Sequence, residues 1–400
     1  MTSGDLPSRD LPSRALPSHG LRSLAAIGDG RGGFVIDETL VRAPAAGEVR
    51  VTLRAAGICH TDHASLQWPG PLVLGHEGAG VIESVGGDVA STHPQLRPGQ
   101  PVLLNWAIPC GRCPQCQRGL GSLCERTHGV DITLGSSAPS PGHTRWRGRA
   151  IERSFKLGTF AEHALVRADA LTVLPEGLPL QHACILGCGV MTGVGAAVNI
   201  AQVQPGDTVA VVGCGGVGLS VIQGARLAGA GSVIAIDRRA SALQRALDFG
   251  ATHTIAPPAD DPQHDKLVAE VRALTGGRGA DHAFEATGVA MLAFLPLKLC
   301  RNGGNAVQLS GAHGPATVEM PQFWWDKRYL VPLYGGCLPA RDFPRLCDWV
   351  LRGELALERM VTHTYRLSDL GQALDDMLTG RSAKGVILFD ERSDAVKDEA

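Results

Sequence analysis

The sequence predicts an α/β protein with two domains, one made of short β-strands and one built on a doubly wound parallel sheet. Its 400 residues, 44% of them apolar, are enough for two hydrophobic cores. Short alternating runs such as 49–53, 80–85 and 101–104 are separated by Gly and Pro, a pattern typical of a small antiparallel barrel or sandwich. A continuous apolar run at 208–212, followed by a glycine-rich turn and a helical pattern, indicates a βαβ unit and therefore a parallel sheet.

The charge and composition exclude several kinds of partner. The formal net charge is -2, from 37 basic and 39 acidic side chains, so no basic surface for nucleic acid or an anionic membrane is expected. No apolar run reaches the length of a membrane span. The cysteine count of 11 is odd and no secretory signal precedes the cysteines, which together predict a reducing, cytoplasmic compartment. The expected partner is therefore a small molecule.

The first residues repeat the pattern Leu-Pro-Ser-Arg or Leu-Pro-Ser-His at 6–9, 11–14 and 16–19. A segment so rich in Pro and Ser cannot bury enough apolar surface to offset the entropy of folding. It also lacks the continuous apolar stretch of a secretory signal. We therefore expect residues 1–24 to form a disordered tail, and we favour an extension without a targeting role over a targeting segment.

Four cysteines in one short polar loop predict a structural zinc site with the spacing C-x2-C-x2-C-x7-C. They are Cys110, Cys113, Cys116 and Cys124. Because four thiolates leave no coordination position open, the ion should brace a lobe over residues 105–130 rather than take part in a reaction. Disulfides or redox thiols are the alternative, which a reducing compartment disfavours.

A second set of metal-binding side chains is spread more widely along the chain. Cys59 lies in Ala-Gly-Ile-Cys-His-Thr-Asp-His, and His76 lies in the later run Gly-His-Glu-Gly. This pair alone is weak evidence, because buried thiols and capped imidazoles are common in any core. Cys188, flanked by two glycines where the pattern changes to α/β, supplies a third ligand. Three protein ligands leave a fourth position open, as in a catalytic zinc site.

The parallel-sheet half carries a dinucleotide-binding pattern. The apolar strand leads into a G-x-G-x-x-G turn, and the next strand, 232–236, ends at Asp237. Such a turn lets the backbone approach a pyrophosphate at the helix N-terminus, while Asp237 should accept hydrogen bonds from the adenosine ribose and repel a 2′-phosphate. This favours NAD over NADP, although Arg238 and Arg239 would either accommodate the extra phosphate or form an exposed surface pair. The contacts expected from the turn are those of Gly213, Gly215, Gly216, Val217 and Gly218.

The sequence resembles the zinc-dependent medium-chain alcohol dehydrogenases in five motifs, which occur in order: G-I-C-H-T-D, G-H-E-G-A-G, the four-cysteine lobe, L-G-C-G-V and G-x-G-x-x-G. The resemblance covers nearly the whole chain except the tail. It implies a GroES-like β-barrel catalytic domain, formed by residues 25–189 and 331–400, and a Rossmann domain at 190–330. It also implies a catalytic and a structural zinc in each chain, NAD as the cofactor, and a homodimer or homotetramer.

The resemblance further implies roles around the catalytic zinc. Thr61 would take the proton of the alcohol through its hydroxyl, with an ordinary turn hydroxyl as the alternative. Asp62 would hold His76 by a hydrogen bond, or it would only cap the turn. Glu77 would approach the metal transiently, or it would be an ion-paired buried carboxylate. Trp106 matches an aromatic wall beside the zinc, and core packing is its alternative.

The same resemblance implies further contacts with the cofactor. Thr287 and the strand end near Leu309 would lie beside the nicotinamide. His60 and Lys384 would meet the pyrophosphate, where basic side chains are favourable. The alternative for each of these two basic residues is an ordinary surface charge.

Two departures from the family pattern concern the active site. Many relatives have a histidine five residues after the first ligand cysteine, as the solvent end of a proton relay, and this chain has Ala64 there. His63, one residue earlier, is the candidate replacement. The segment from Cys59 to His76 is several residues shorter than in most relatives, which predicts a more open or differently shaped substrate entrance.

The expected activity is hydride transfer between a primary or aromatic alcohol, or its aldehyde, and NAD. The stretches 105–106, 187–193 and 334–339 resemble bacterial branches that oxidise aryl alcohols or thiol adducts of formaldehyde. The adduct is the weaker of the two, because the loop that carries its acidic pocket residue is shortened and no Arg stands at the matching place after Cys124. A dismutase that never releases its nucleotide is another alternative. A nucleotide-binding relative without catalysis is disfavoured, because the three ligands and Thr61 are all present.

Overall fold

The computed structural model describes residues 20–126, 144–312 and 314–389. The strands of these ranges are, in chain order, β1 (Gly20–Gly28), β2 (Phe34–Arg42), β3 (Glu48–Gly57), β4 (Leu72–Val73), β5 (Gly78–Val85), β6 (Pro101–Leu104), β7 (Thr144–Trp146), β8 (Arg149–Arg153), β9 (His163–Arg167), β10 (Leu171–Val173), β11 (Thr208–Val212), β12 (Ser232–Ile236), β13 (His253–Ile255), β14 (Ala280–Glu285), β15 (Cys300–Gln308), β16 (Arg328–Leu330), β17 (Val361–Tyr365) and β18 (Lys384–Leu388).

The helices of the same ranges are α1 (His60–Ser65), α2 (Val89–Thr92), α3 (Pro114–Gln117), α4 (Leu180–Ala183), α5 (Gly189–Gly195), α6 (Gly216–Leu227), α7 (Ala240–Asp248), α8 (Asp265–Leu274), α9 (Leu295–Leu299), α10 (Pro339–Leu351) and α11 (Leu370–Leu378). A π-helical turn, Ala196–Ala201, follows α5.

The first described strand begins inside the stretch expected to be a disordered tail. Residues 1–19 of that tail lie outside the described residues, but β1 starts at Gly20 and pairs antiparallel with β2, with Leu21 opposite Val41. This corrects the expectation for residues 20–24. The backbone groups there are satisfied by a strand farther along the chain, a contact that a composition rule does not register.

The first compact unit comprises the described residues within Met1–Ile108, His128–Gly187 and Leu357–Ala400. It contains a closed barrel of β1, β2, β7, β8 and β4, and a seven-stranded sheet in the order β10-β6-β5-β3-β18-β17, with β9 also paired to β3. Pairing is antiparallel apart from β4 with β8 and β17 with β18. The β-rich half that the alternating runs predict is confirmed.

The C-terminal residues of this unit complete its sheet and one of its cores. β18 pairs antiparallel with the end of β3, with Val386 opposite Gly57. The helix α11 contributes Leu370 and Leu374 to a core that also holds Ile58. Residues far apart in the sequence therefore fix the chain at the end of β3, immediately before the first candidate metal ligand.

The second compact unit comprises Pro109–Thr127 and Cys188–Ala356, apart from Thr127 and His313, which are not described. Its sheet has the order β13-β12-β11-β14-β15-β16, and the pairs are parallel throughout. The strand order runs outward in both directions from β11, so the prediction of a doubly wound parallel sheet is confirmed. In such sheets, ligands bind at the carboxyl ends of the strands where the order reverses.

Among the helices that the structure describes, no single one is both long and apolar enough to cross a membrane. One bent pair, Leu180–Gly187 with Gly189–Ala201, satisfies the criteria of length and composition alone.

Candidate metal centres and nucleotide site

The first candidate ligand, Cys59, lies at the start of α1, just after β3 ends at Gly57. Its backbone is extended, with φ -129° and ψ 153°, as is usual for the residue that caps a helix. The carboxylate of Asp62 accepts a hydrogen bond from the Cys59 N–H at 2.9 Å. The Thr61 hydroxyl lies beside the ligand sulfur, with Sγ to Oγ1 at 3.8 Å. The first turn of α1 thus brings a thiol, a hydroxyl and a carboxylate together.

The second candidate ligand, His76, is fully buried and is held by Asp62. Its Nδ1 lies 2.7 Å from Asp62 Oδ1, and the carboxylate is itself 1% exposed. Burial opposes the charged form of the ring, but the Asp62 carboxylate outweighs that effect and raises the pKa of His76 well above its ordinary value. A carboxylate on Nδ1 fixes the ring orientation and directs Nε2 toward any metal, as expected from the sequence.

Four candidate ligand side chains converge. One ligand atom from each of Cys59, His76, Glu77 and Cys188 lies within 4.8 Å of the other three. Cys188 follows Gly187 directly, at the peptide bond where the first compact unit gives way to the second. Gly187 is required there, because a Cβ would lie 2.6 Å from the backbone oxygen of Leu104.

The donor set fits a zinc ion. His76 Nε2 is buried and makes no hydrogen bond of normal geometry to any described residue, which is a costly state for a ring nitrogen unless a cation binds it. Two thiols and an imidazole are ligands that zinc prefers, and three of them leave a position for a reactant. Cys59, His76 and Cys188 would therefore hold a catalytic zinc.

Glu77 forms a buried ion pair next to this set. Its Oε1 lies 2.7 Å from the ammonium of Lys384, which also donates to the Ile58 carbonyl at 2.9 Å. Burial raises the pKa of Glu77, although the Lys384 charge opposes the rise. A Cβ on Gly57 would lie 2.0 Å from Glu77 Oε2, so only glycine leaves room for the carboxylate. The arrangement agrees with the ion-paired alternative for Glu77, and contact of Lys384 with a pyrophosphate stays a prediction.

The four-cysteine lobe is compact. One sulfur from each of Cys110, Cys113, Cys116 and Cys124 lies within 4.8 Å of the others. Backbone N–H groups point at two of these sulfurs, with Cys110 N 3.4 Å from Cys124 Sγ and Cys116 N 3.5 Å from Cys113 Sγ. Four sulfurs at this separation suit a closed tetrahedral zinc site. Of the predicted lobe, residues 127–130 lie outside the described residues.

The glycine-rich turn has the three properties that a bound pyrophosphate requires. Gly213 has φ +92°, which only glycine adopts without strain. A Cβ on Gly218 would lie 1.8 Å from the Gly213 oxygen, so its absence lets helix α6 pack against the turn. A Cβ on Gly215 would meet nothing within 4 Å, so this glycine leaves open space in front of the backbone. A pyrophosphate would fit that space, at the N-terminus of α6.

Asp237 lies at the carboxyl end of β12, as expected. Its Oδ2 accepts a hydrogen bond from the Cys214 N–H at 2.9 Å, and its Oδ1 accepts one from the Arg239 N–H at 3.0 Å. Burial would raise the pKa of Asp237, but these hydrogen bonds outweigh it and hold the pKa below its ordinary value. The carboxylate is therefore charged and anchored beside the glycine turn, while Arg238 is exposed.

Comparison with known proteins identifies the family. Two family models match, the alcohol dehydrogenase GroES-like domain over residues 45–176 and the zinc-binding dehydrogenase over 216–352. The S-(hydroxymethyl)glutathione dehydrogenase of Synechocystis sp. is 36% identical, over 88% of this chain and 96% of the relative. Alcohol dehydrogenase 1 of Pisum sativum is 34% identical, over 89% and 94%. The solved benzyl alcohol dehydrogenase of Acinetobacter calcoaceticus has a TM-score of 0.83 and 29% identity, over 92% of this chain and 100% of that one.

The chain belongs to the zinc-dependent medium-chain alcohol dehydrogenases. Its reaction is the NAD-linked interconversion of alcohols and aldehydes, with zinc as the metal. The fold class expected of this dehydrogenase is thereby confirmed, as are zinc and NAD as its cofactors, while the preference for NAD over NADP stays a prediction.

The other predicted site residues of the dehydrogenase lie on α1, in the loop after β14 and in the core. His60 is the first residue of α1 and is exposed, whereas His63 is half-buried in the same helix. Thr287 lies in the loop after β14 and packs against the glycine turn. Its Cγ2 would lie only 2.8 Å from a Cβ on Gly213. Trp106 is 4% exposed.

One residue near the metal set was not identified from the sequence. The Phe155 ring stacks on the ring of His76, with centroids 4.6 Å apart and planes inclined by 28°. It also contacts Trp106 at 5.1 Å and Trp68 at 5.4 Å between centroids. Its backbone is left-handed, with φ +53°, which is uncommon for a bulky side chain and tends to occur at functional sites. No local motif marks Phe155, because its neighbours come from three other segments of the chain.

Proposed function

We propose that the protein transfers a hydride between a primary alcohol, preferably an aromatic one, and NAD. The single observation that carries this proposal is the buried Nε2 of His76, which makes no hydrogen bond of normal geometry to a described residue while two thiols converge beside it. A structural core would leave such a nitrogen paired, whereas a catalytic zinc site needs it for the metal. The cytoplasm is the proposed location, since a reducing compartment keeps the thiols of both candidate metal sites in the reduced form that binds a metal.

The candidate zinc ligands and the residues beside them are proposed to have different roles in the reaction. Cys59, His76 and Cys188 would hold the zinc, which when bound supplies a Lewis acid that lowers the pKa of the alcohol. Thr61 Oγ1, placed 3.8 Å from the Cys59 sulfur, receives the proton of the alcohol. His63, in the same helix, is the proposed next acceptor on the way to solvent.

The carboxylates around the set keep the ligands in place. Asp62 holds the His76 ring on one side and the Cys59 backbone on the other, so a single carboxylate orients two ligands. Glu77 is neutralised by Lys384, which limits its competition for the metal. We propose that Glu77 approaches the metal only transiently.

The preference for aromatic alcohols is supported by the aromatic side chains beside His76. Phe155 contacts both Trp106 and Trp68, and it covers one face of the His76 ring. Aromatic rings stack favourably at such centroid separations, so a wall of this kind favours a substrate that carries a ring. The solved relative named for benzyl alcohol is consistent with this preference.

A thiol adduct of formaldehyde is the second candidate substrate. It is favoured by the relative named S-(hydroxymethyl)glutathione dehydrogenase, which this chain matches at 36% identity. The adduct carries carboxylates, whereas the side chains that contact Phe155 are aromatic. For this reason we rank it below the aryl alcohols.

A substrate panel tests the proposed function. We expect kcat/KM with NAD to be at least about tenfold higher for benzyl alcohol than for ethanol, because a ring gains both apolar burial and stacking. The rates are read from nicotinamide absorbance, and the panel includes S-(hydroxymethyl)glutathione. A higher kcat/KM for that adduct than for benzyl alcohol would reverse the order of the two candidates.

Two variants test whether the aromatic side chains beside His76 cause the preference for aromatic alcohols. Phe155→Leu should lower the ratio of benzyl alcohol to ethanol kcat/KM and leave zinc content unchanged. Phe323→Leu is the matched control, since Phe323 meets Phe294 edge-on in the second unit, with ring centroids 6.4 Å apart. An unchanged ratio in Phe155→Leu would show that the wall does not select the substrate.

The choice of NAD over NADP is proposed to depend on Asp237. Replacing Asp237 with Asn removes the charge that repels a 2′-phosphate and weakens the bond to the ribose. We expect the ratio of kcat/KM for NAD to that for NADP to fall by about tenfold or more, the size of one lost charge-assisted hydrogen bond. Asp248→Asn, on the exposed side of α7, is the matched control. Equal ratios in Asp237→Asn and the wild type would contradict the assignment.

We also propose that the enzyme is a homo-oligomer, a dimer or a tetramer. In the described part of the chain, β16 pairs with β15 alone and forms one edge of the sheet. Apolar side chains flank this edge with large exposed fractions, 57% for Trp324, 69% for Trp325 and 65% for Val331. Exposed apolar side chains beside an open strand edge suit a contact with a second copy of the chain.

A further inference from the structure

A buried carboxylate that the proposed mechanism does not use lies at the centre of the parallel sheet. Glu285 is the last residue of β14, the strand between β11 and β15, and it is 0% exposed. A buried carboxylate is costly unless several donors satisfy it. The identity of those donors therefore indicates what Glu285 does.

The donors come from two different loops. Glu285 Oε1 accepts hydrogen bonds from Thr287 N at 2.5 Å and from Gly288 N at 3.2 Å, and also from the Thr287 hydroxyl. Glu285 Oε2 accepts a hydrogen bond from the hydroxyl of Ser310, in the loop after β15. One carboxylate thus ties the loop after β14 to the loop after β15.

The same carboxylate also reaches the glycine turn through Thr287. A Cβ on Gly213 would lie 2.8 Å from Thr287 Cγ2 and 3.0 Å from the Ala286 carbonyl group, so the loop after β14 packs directly on the turn after β11. The backbone continues this link, since Ala286 N donates to the Val212 carbonyl at 2.8 Å. Glu285 therefore joins the loops that follow three adjacent strands, at the sheet edge where nucleotides bind.

The position of these loops indicates which half of the nucleotide they receive. A dinucleotide lies across the point where the strand order reverses, which here is β11. Asp237 ends β12, on one side of β11, and takes the adenosine ribose. The loops after β14 and β15 lie on the other side, where the nicotinamide half extends.

We propose that Glu285 is a positioning residue that holds Ser310 and Thr287 in the arrangement that receives the nicotinamide half of the cofactor. The inference rests on the proposed use of NAD. Glu285 itself is buried beneath the loops and acts through Ser310 and Thr287. The Ser310 hydroxyl, which also accepts a hydrogen bond from Gln308 Nε2 at 3.3 Å, links the two loops through Glu285, while Thr287 keeps its bonds to Glu285 without it.

Nucleotide binding to the Ser310→Ala variant tests the proposal. NADH binding is measured by nicotinamide fluorescence, and ADP-ribose, which lacks the nicotinamide, is measured by calorimetry. We expect the Kd for NADH to rise about tenfold, as for the loss of a hydrogen bond to a charged group, and the Kd for ADP-ribose to stay unchanged. Ser310→Thr keeps a hydroxyl and should restore NADH affinity.

Two further variants separate positioning from general damage. Ser232→Ala removes another hydroxyl of the same unit, at the amino end of β12, and should alter neither affinity. In a protein that already carries Glu285→Gln, the additional change Ser310→Ala should alter the Kd for NADH little, because both substitutions affect the same hydrogen bond.

Each other outcome counts against the proposal. An unchanged NADH Kd in Ser310→Ala would overturn the positioning role of Glu285 and leave the proposed use of NAD standing. An equal loss of NADH and ADP-ribose affinity would also overturn that role, because it would indicate a merely structural effect. A wild-type protein that binds neither nucleotide would overturn the proposed use of NAD and this inference with it.

Discussion

Replacing Cys59 with serine is expected to abolish turnover and to leave NADH binding unchanged. The substitution removes one of three proposed ligands from the set in which His76 Nε2 is buried without a hydrogen bond of normal geometry to a described residue. A lost Lewis acid removes several kcal/mol of transition-state stabilisation, so kcat/KM should fall by about a thousandfold or more. The glycine turn and Asp237, which are proposed to bind the nucleotide, are not altered. The measurement is kcat/KM for benzyl alcohol together with the Kd for NADH.

Cys184→Ser is the matched control for that prediction. Cys184 is a buried thiol of the same unit that donates to the Gln181 carbonyl at 3.4 Å, a bond that a serine hydroxyl can also make. Burial raises the pKa of Cys184 well above its ordinary value, so it stays a protonated thiol rather than a ligand. This variant should keep most of its activity. Full activity in Cys59→Ser would contradict the assignment of the catalytic zinc.

Replacing Thr61 with valine is expected to lower kcat by about a hundredfold or more, because proton transfer by a positioned side chain contributes about 10² to 10⁴. Valine has nearly the shape of threonine but no hydroxyl beside the Cys59 sulfur. Zinc content and NADH affinity should stay at their wild-type values, and Thr61→Ser should recover most of the rate. The measurement is kcat for benzyl alcohol across a pH series.

A wild-type kcat in Thr61→Val would show that the proton leaves by another route. A loss of zinc from Thr61→Val would instead mean that the hydroxyl supports the metal set. The two results are told apart by zinc analysis of the same preparation.

Much of the fold could be predicted from the sequence because its signals are local. A short run rich in apolar residues followed by a glycine-rich turn predicts β11 and the start of α6, and both lie where expected. The four cysteines of the lobe are likewise close in sequence, so their spacing alone predicts that they meet. Asp237 could be placed because it ends the next strand.

The parts that could not be predicted depend on contacts between distant residues. Lys384 and Glu77 are 307 residues apart, and only the pairing of β18 with β3 brings them together. Phe155 reaches His76 through a left-handed backbone that no flanking residue signals. Glu285 resembles an ordinary strand residue in the sequence, and its role is visible only from the four hydrogen bonds it accepts.

Zinc content per chain decides whether both sets of converging ligands bind a metal. Elemental analysis of the purified enzyme, in the wild type and in Cys59→Ser, separates the catalytic ion from the ion of the four-cysteine lobe. We expect about two zinc ions per chain in the wild type and about one in Cys59→Ser, with activity lost in parallel. A wild type that is fully active with only the lobe zinc bound would contradict a catalytic zinc at Cys59, His76 and Cys188.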